Sequence, residues 1–159
     1  MRPLLFNYLC AQCNNRFKAP GLPDSAYGEF LLVTENGETA YLNSFQDIVF
    51  DELRLIFKKH EKKFQKIDRY NESKIFQEIF TITCDESSSG GTYHISEFPV
   101  CPVCKSRKMA SWGETRLPEF VSEEIAPITH KKWNKLSLIE KELRTDEAIK
   151  SAVKKYISE

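Results

Sequence analysis

Four of the five cysteines in this 159-residue chain fall into two Cys-x-x-Cys pairs, Cys10 with Cys13 and Cys101 with Cys104, separated by 87 residues. A Cys-x-x-Cys turn can point both sulfurs at one point, and two such turns complete a four-thiolate tetrahedral shell of the kind Zn²⁺ prefers. An odd number of cysteines arranged this way favours metal over disulfides. The pairs therefore predict one structural Zn²⁺ held by Cys10, Cys13, Cys101 and Cys104, closed by bringing together two distant parts of the chain.

The residues around each pair support short hairpins. Leu5 to Ala19 places aromatic and aliphatic residues on both sides of the polar turn Cys10-Ala-Gln-Cys13-Asn-Asn, and Arg107-Lys-Met-Ala-Ser-Trp112 reads as a strand leaving the second pair. With Tyr8, Phe17 and Trp112 beside the cysteines, the chain resembles the zinc-ribbon group, in which two knuckles on neighbouring hairpins share one structural zinc. That resemblance implies a fold element and not an activity. A compact four-cysteine site has roughly 15 to 20 residues between its pairs, so residues 20–97 are expected to be an αβ insertion. The expected organisation is a zinc-ribbon domain over residues 1–126, with knuckles at 5–19 and 98–113, followed by a helical segment over 127–159.

Other chemistries for the cysteines are weaker. Thioredoxin-like redox pairs sit at a helix start in a βαβ pattern, which neither pair here does. A catalytic zinc keeps an open position, and four thiolates leave none. Two separate sites would need His60, His94 or His130 as extra ligands. The zinc-deaminase pattern fails on spacing, because His94-Ile-Ser-Glu97 precedes Cys101 by too few residues to build that active site. The fifth cysteine, Cys84, reads as a buried small hydrophobe.

The intervening chain predicts strands at residues 30–34 and 39–42 around Asn36-Gly37, a turn pair suited to positive φ. Apolar residues then recur at Phe45, Ile48, Val49, Leu53, Ile56, Phe57, Phe64 and Ile67, predicting one long amphipathic helix over residues 45–69, started by Ser44 and Asp47. Residues 79–84 and 92–96 are rich in β-branched and aromatic types and predict a second hairpin. Residues 114–127 read as an irregular connection. In the tail, Trp133, Leu136, Ile139 and Leu143 suggest one helix, and Thr145-Asp-Glu starts another. The expected class is α+β.

Lys plus Arg and Asp plus Glu both number 23, so no global field draws the chain to polyanions. The charge is nevertheless segregated: residues 19–53 hold no Lys or Arg and seven acidic residues, while residues 54–69 are strongly basic. No apolar run is long enough for a membrane span and no leader pattern opens the sequence, so a cytoplasmic protein without a membrane partner is expected. No phosphate-binding, nucleophile-elbow or metalloprotease motif is found, and no small-molecule substrate or enzyme activity is expected. The leading expectation is a non-catalytic protein-interaction module, an adaptor or inhibitor type, with Trp133 and Tyr156 as anchors. The alternative is a nucleic-acid accessory protein contacting phosphates through Lys58, Lys62, Lys66 and Arg107.

Overall fold

The computed structural model describes residues 2–95 and 98–157. The fold is mixed α and β, and the chain divides into two compact units. The first unit contains residues 1–45 and 86–128, and the second contains residues 46–85 and 129–159.

The first unit is built from two three-stranded antiparallel sheets. Strands β1 (Leu4–Cys10) and β2 (Arg16–Gly21) form the expected hairpin around the first cysteine turn, and β6 (Met109–Glu114) pairs on the other side of β1. The second sheet has order β4-β3-β5, with β3 (Glu29–Val33), β4 (Thr39–Asn43) and the short β5 (His94–Ile95). Leu31, Leu32 and Val33 are consecutive and all buried, so β3 is covered on both faces, whereas β4 buries only Ala40 and Leu42. The β3–β4 turn differs in detail from a two-residue hairpin. Thr34 N–H donates to the Glu38 carbonyl at 2.9 Å, and Gly37 alone takes positive φ, at 86°. This is a three-residue loop closing on a left-handed glycine.

The second unit is helical. Helix α1 (Ile48–Lys58) starts where Asp47 accepts a hydrogen bond from Phe50 N–H at 2.8 Å, and it buries Val49, Leu53, Ile56 and Phe57 on one stripe. The expected helix over residues 45–69 is therefore interrupted. After Lys58 the backbone tightens into a 3₁₀ turn at Glu61–Phe64, and Asp68 caps a new helix, α2 (Arg69–Phe80), by accepting from Asn71 N–H at 2.9 Å. Lys58, Lys62 and Lys66 would repel at i,i+4 spacing in a continuous helix. The turn also lets Phe57 and Phe64 stack at 4.6 Å. Phe64 thus continues the apolar period without continuing the helix.

Residues 79–84, expected as a strand, are instead the end of α2 and a 3₁₀ turn, Thr81–Thr83. Ile75, Ile79 and Phe80 are buried on one helical face, and that burial overrides the β-propensity of the run. The expected second hairpin is absent, and β5 pairs with β3. The end of the 92–96 run at Ser96, together with Glu97, lies outside the described residues.

In the tail, α3 (Lys131–Asn134) is a single turn and α4 (Leu138–Ile157) is one helix. Ser137 and Glu140 form the capping box: Glu140 N–H donates to Ser137 Oγ, and Ser137 N–H donates to Glu140 Oε2 at 2.7 Å. The expected start at Thr145 is mid-helix. Thr145 is fully buried and donates its hydroxyl to the Lys141 carbonyl at 2.7 Å, one turn back. Ile139 and Leu143, part of the apolar pattern that suggests the first tail helix, are exposed, while Ile149, Ala152 and Val153 are buried. Among the described residues no helix is long and apolar enough to cross a membrane.

Candidate metal centre

The two cysteine turns have the same backbone. In each, the residue after the second cysteine takes left-handed φ, 59° at Asn14 and 62° at Lys105. Asn14 N–H donates to the Cys10 carbonyl at 3.1 Å, and Lys105 N–H donates to the Cys101 carbonyl at 3.0 Å. Cys10 N–H then donates to the Asn15 carbonyl at 2.9 Å, and Cys101 N–H to the Ser106 carbonyl at 2.8 Å. The turns are joined directly by Ala11 N–H donating to the Lys108 carbonyl at 2.9 Å. A register shift at Leu9/Cys10 in the β1–β6 ladder lies at the start of the first turn.

This geometry converges the four sulfurs. Their Sγ atoms all lie within 4.8 Å of one another, with Cys10 to Cys104 at 3.5 Å and Cys13 to Cys101 at 3.6 Å. A disulfide needs about 2.05 Å, so the cysteines are free thiols. Sulfurs at about 2.3 Å from a tetrahedral zinc stand about 3.8 Å apart, close to these two separations. Cys10 and Cys101 are buried, and Cys13 and Cys104 lie nearer solvent.

The backbone prepares the inner pair for ionisation. Cys13 N–H, opposed by burial and assisted by Gln12 N–H, holds the Cys10 thiol below its ordinary value. Burial works against the Cys101 thiolate, but the N–H groups of Cys104 and Val103 bring its pKa down to about 6. At Cys13, Asn15 N–H favours the thiolate, yet burial and the neighbouring sulfurs push it up to about 12. Cys104 is likewise raised, with Ser106 N–H outweighed by burial and Cys10. Four thiolates in this space need a cation to coexist, and a divalent ion supplies two positive charges at their centre. The donor set of four sulfurs, with amide N–H groups behind them, is consistent with a zinc site.

No family model, curated protein or solved structure matches this chain. What the centre does must be argued from its own residues.

The remaining sequence-derived candidates are dispersed. Lys58, Lys62 and Lys66 are exposed in the second unit, and among the described residues none is in an ion pair. Their neighbours Lys59 and Lys63 pair with Glu142 and Asp146. Arg107 belongs to the first unit, where it is half-buried with its guanidinium 3.4 Å from the Val33 carbonyl. Trp133, expected as a partner anchor, is only 1% exposed. Its indole N–H donates to Glu52 at 2.8 Å, so core packing consumes the surface a partner would need. Tyr156 is half-buried on α4.

Folding gives all three histidines carboxylate neighbours that are distant in sequence, His60 Nδ1 lying 3.5 Å from Asp146. His94 Nε2 lies 3.6 Å from Glu35, and His130 Nε2 lies 3.1 Å from Asp47. His130 Nδ1 also donates to the Thr83 carbonyl at 2.7 Å. Burial disfavours its charge, but Asp47 and the Thr83 carbonyl outweigh that and raise its pKa. Both ring nitrogens are occupied, which leaves neither to act as a base. Cys84 is pushed up to about 12 by burial and so is a thiol at neutral pH.

One surface feature of the first unit was not evident from motif spacing. A cleft of about 580 Å³ lies against the sheet face that carries Tyr8, Phe17 and Trp112, with Phe6 and Phe98 also lining it. Cross-strand register produces the row, since Tyr8 stands opposite Phe17 on one side and Trp112 on the other. The aromatic signal was present in the sequence, but only the pairing register puts these rings on one face.

Proposed function

We propose that the chain is a non-catalytic protein-interaction module whose Cys10, Cys13, Cys101 and Cys104 hold one structural zinc ion, acting as an adaptor or inhibitor. The observation that carries this reading is the aromatic cleft, built on the same sheet that presents the cysteine turns. Four cysteine ligands fill a tetrahedral shell, which gives zinc a scaffolding role and supplies no open position for substrate. Trp112 is 53% exposed, and exposed aromatics gathered in a concave site are enriched where proteins dock.

A second reading, nucleic-acid binding, is favoured by Lys58, Lys62 and Lys66, which among the described residues are in no ion pair. It concerns the second unit, which holds sixteen basic and thirteen acidic residues, whereas the first holds seven and ten. The test is affinity capture by the zinc-loaded protein, with and without nuclease, beside a Trp112→Ala control. A protein partner retained after nuclease and lost with Trp112→Ala supports the module. Recovery of nucleic acid alone, indifferent to Trp112, overturns it.

A further inference from the structure

Resting on the protein-interaction reading, we infer that the aromatic cleft of the first unit receives a proline-containing segment of another protein in extended polyproline II form, with a basic residue of that segment beside Asp24 and Glu29. Three features of the cleft lead to this occupant.

The first is the spacing of the rings. Tyr8 and Phe17 stack with centroids 5.6 Å apart, and Phe98 meets Trp112 edge to face at 4.5 Å. Tyr8 and Trp112 are directly opposite in the β1–β6 register, yet among the described residues no ring contact joins them. Tyr8 is 5% exposed and Trp112 53% exposed, so the row forms a slot floored by Tyr8 and walled by Trp112. Pyrrolidine rings fit such slots, and a polyproline II helix presents them with little ordering cost because it is already extended.

The second feature is the set of unused donors. A polyproline II helix makes no internal hydrogen bonds, so its carbonyls need partners. The Trp112 indole N–H and the Tyr8 hydroxyl belong to cleft-lining side chains, and among the described residues neither has a hydrogen-bond partner.

The third feature is charge. Lys18, one of two lysines at the cleft, is neutralised by Glu119, whose oxygens both lie 2.9 Å from its ammonium. This leaves Lys105 against Asp24 and Glu29, the latter also accepting from the Tyr41 hydroxyl, so the net charge at the cleft is acidic. That balance repels a phosphate chain and suits a peptide carrying a lysine or arginine.

The test uses the full zinc-loaded chain with ¹⁵N-labelled indoles, because Trp112 and Trp133 are its two tryptophans and lie in different units. The probe is a synthetic peptide with two Pro-x-x-Pro steps and one flanking arginine. Saturable movement of the Trp112 resonance, with Trp133 unmoved, is expected. Replacing the peptide's prolines by alanine should weaken binding about tenfold or more, and replacing its arginine by glutamate should weaken it several-fold. Asp24→Asn should reduce affinity for the arginine peptide and leave the glutamate peptide unaffected or better bound. Trp112→Ala, which lacks the reporter indole and is read by titration calorimetry instead, should abolish binding, and if that variant loses its sheet, Asp24→Asn decides. Absence of a saturable shift overturns the proposal. So does equal binding of the proline-free peptide, or a Trp112 shift produced by oligodeoxythymidine instead. If the proline peptide fails while a nuclease-resistant protein partner is still captured through Trp112, only the occupant is wrong. If no such partner is captured, the interaction reading itself falls.

Discussion

Removing the metal should unfold the first unit and spare the second. The cysteine turns join β1, β2 and β6, and all four proposed ligands belong to the first unit. Structural zinc in small domains contributes apparent binding free energies of about 10–16 kcal/mol, whereas a whole domain is stable by only about 5–15 kcal/mol. Without zinc, little net stability remains to hold a sheet whose central strand buries only Tyr8 and Cys10 fully. For a unit of this size each lost kcal/mol lowers the melting temperature by about 4–8 °C, so losing even half the zinc contribution takes the unit past its transition. The perturbation is chelation, with release verified by a colorimetric zinc indicator, or Cys101→Ser. The assay is the pair of indole resonances. Trp112 on β6 should collapse to its random-coil position, while Trp133, buried on α3, should hold its native shift and the α-helical circular dichroism should persist. If the Trp112 signal and the β-sheet signal survive verified zinc loss, the argument that zinc organises this unit is wrong. If Trp133 is lost together with Trp112, the units are not energetically separate.

Further expectations concern single contacts. His130 has a raised pKa and Asp47 a lowered one, each in part because of the other. The histidine's contribution is complete below about pH 6.5 and is lost as pH rises through its raised folded value, while the aspartate's is complete above about pH 3.8 and is lost as pH falls through its lowered one. Urea melts should therefore show His130→Ala costing most between these limits, about 1–3 kcal/mol, and less at pH 9. Glu52 accepts from the Trp133 indole and from Lys141, both at 2.8 Å, so Glu52→Ala strands a buried N–H and should cost about 1–3 kcal/mol in the same assay. Lys105 holds a left-handed φ of 62° without glycine's freedom, so Lys105→Gly should stabilise the zinc-loaded first unit by about 0.5–1 kcal/mol in thermal melts. A Lys105→Val variant should do the opposite.

The cysteine centre was legible because its chemistry is local. Each Cys-x-x-Cys turn is fixed by its own backbone, and the spacing demands a partner turn somewhere in the chain. The β1–β2 hairpin and the β3–β4 pair were legible for a similar reason, since turn residues and neighbouring apolar runs specify them together. The errors arose where tertiary burial competed with local signals. At Phe64 an apolar period survived a change of helix type, at Ile79 to Thr83 β-branched residues were recruited to a helix face, and at Thr145 a capping residue was absorbed into a helix begun by Ser137. Trp133 departs from expectation because an aromatic on an amphipathic helix looks the same in sequence whether it faces a core or a partner. The aromatic cleft was invisible for another reason: Tyr8, Phe17 and Trp112 share a face only through strand register, and Phe17 and Trp112 are far apart in sequence.

The zero net charge of the chain conceals two units of opposite sign, and this separates the two functional readings experimentally. Seven basic against ten acidic residues make the first unit acidic, and sixteen against thirteen make the second basic. The global charge argument against polyanions therefore applies to the first unit and its cleft, but not to the exposed lysines of the second. Trp112→Ala and the triple variant Lys58→Glu, Lys62→Glu, Lys66→Glu act on different units, so in the full chain they serve as independent controls. A cleft-bound protein partner should be lost with Trp112→Ala and retained, with little change in salt dependence, by the triple variant. Polyanion binding should show the reverse. Each phosphate contact removed should flatten the logarithmic salt slope by about 0.7–0.9. If both variants release the same ligand equally, neither unit acts alone, and assigning the cleft to the unit with the cysteine cluster as an autonomous docking site would be wrong.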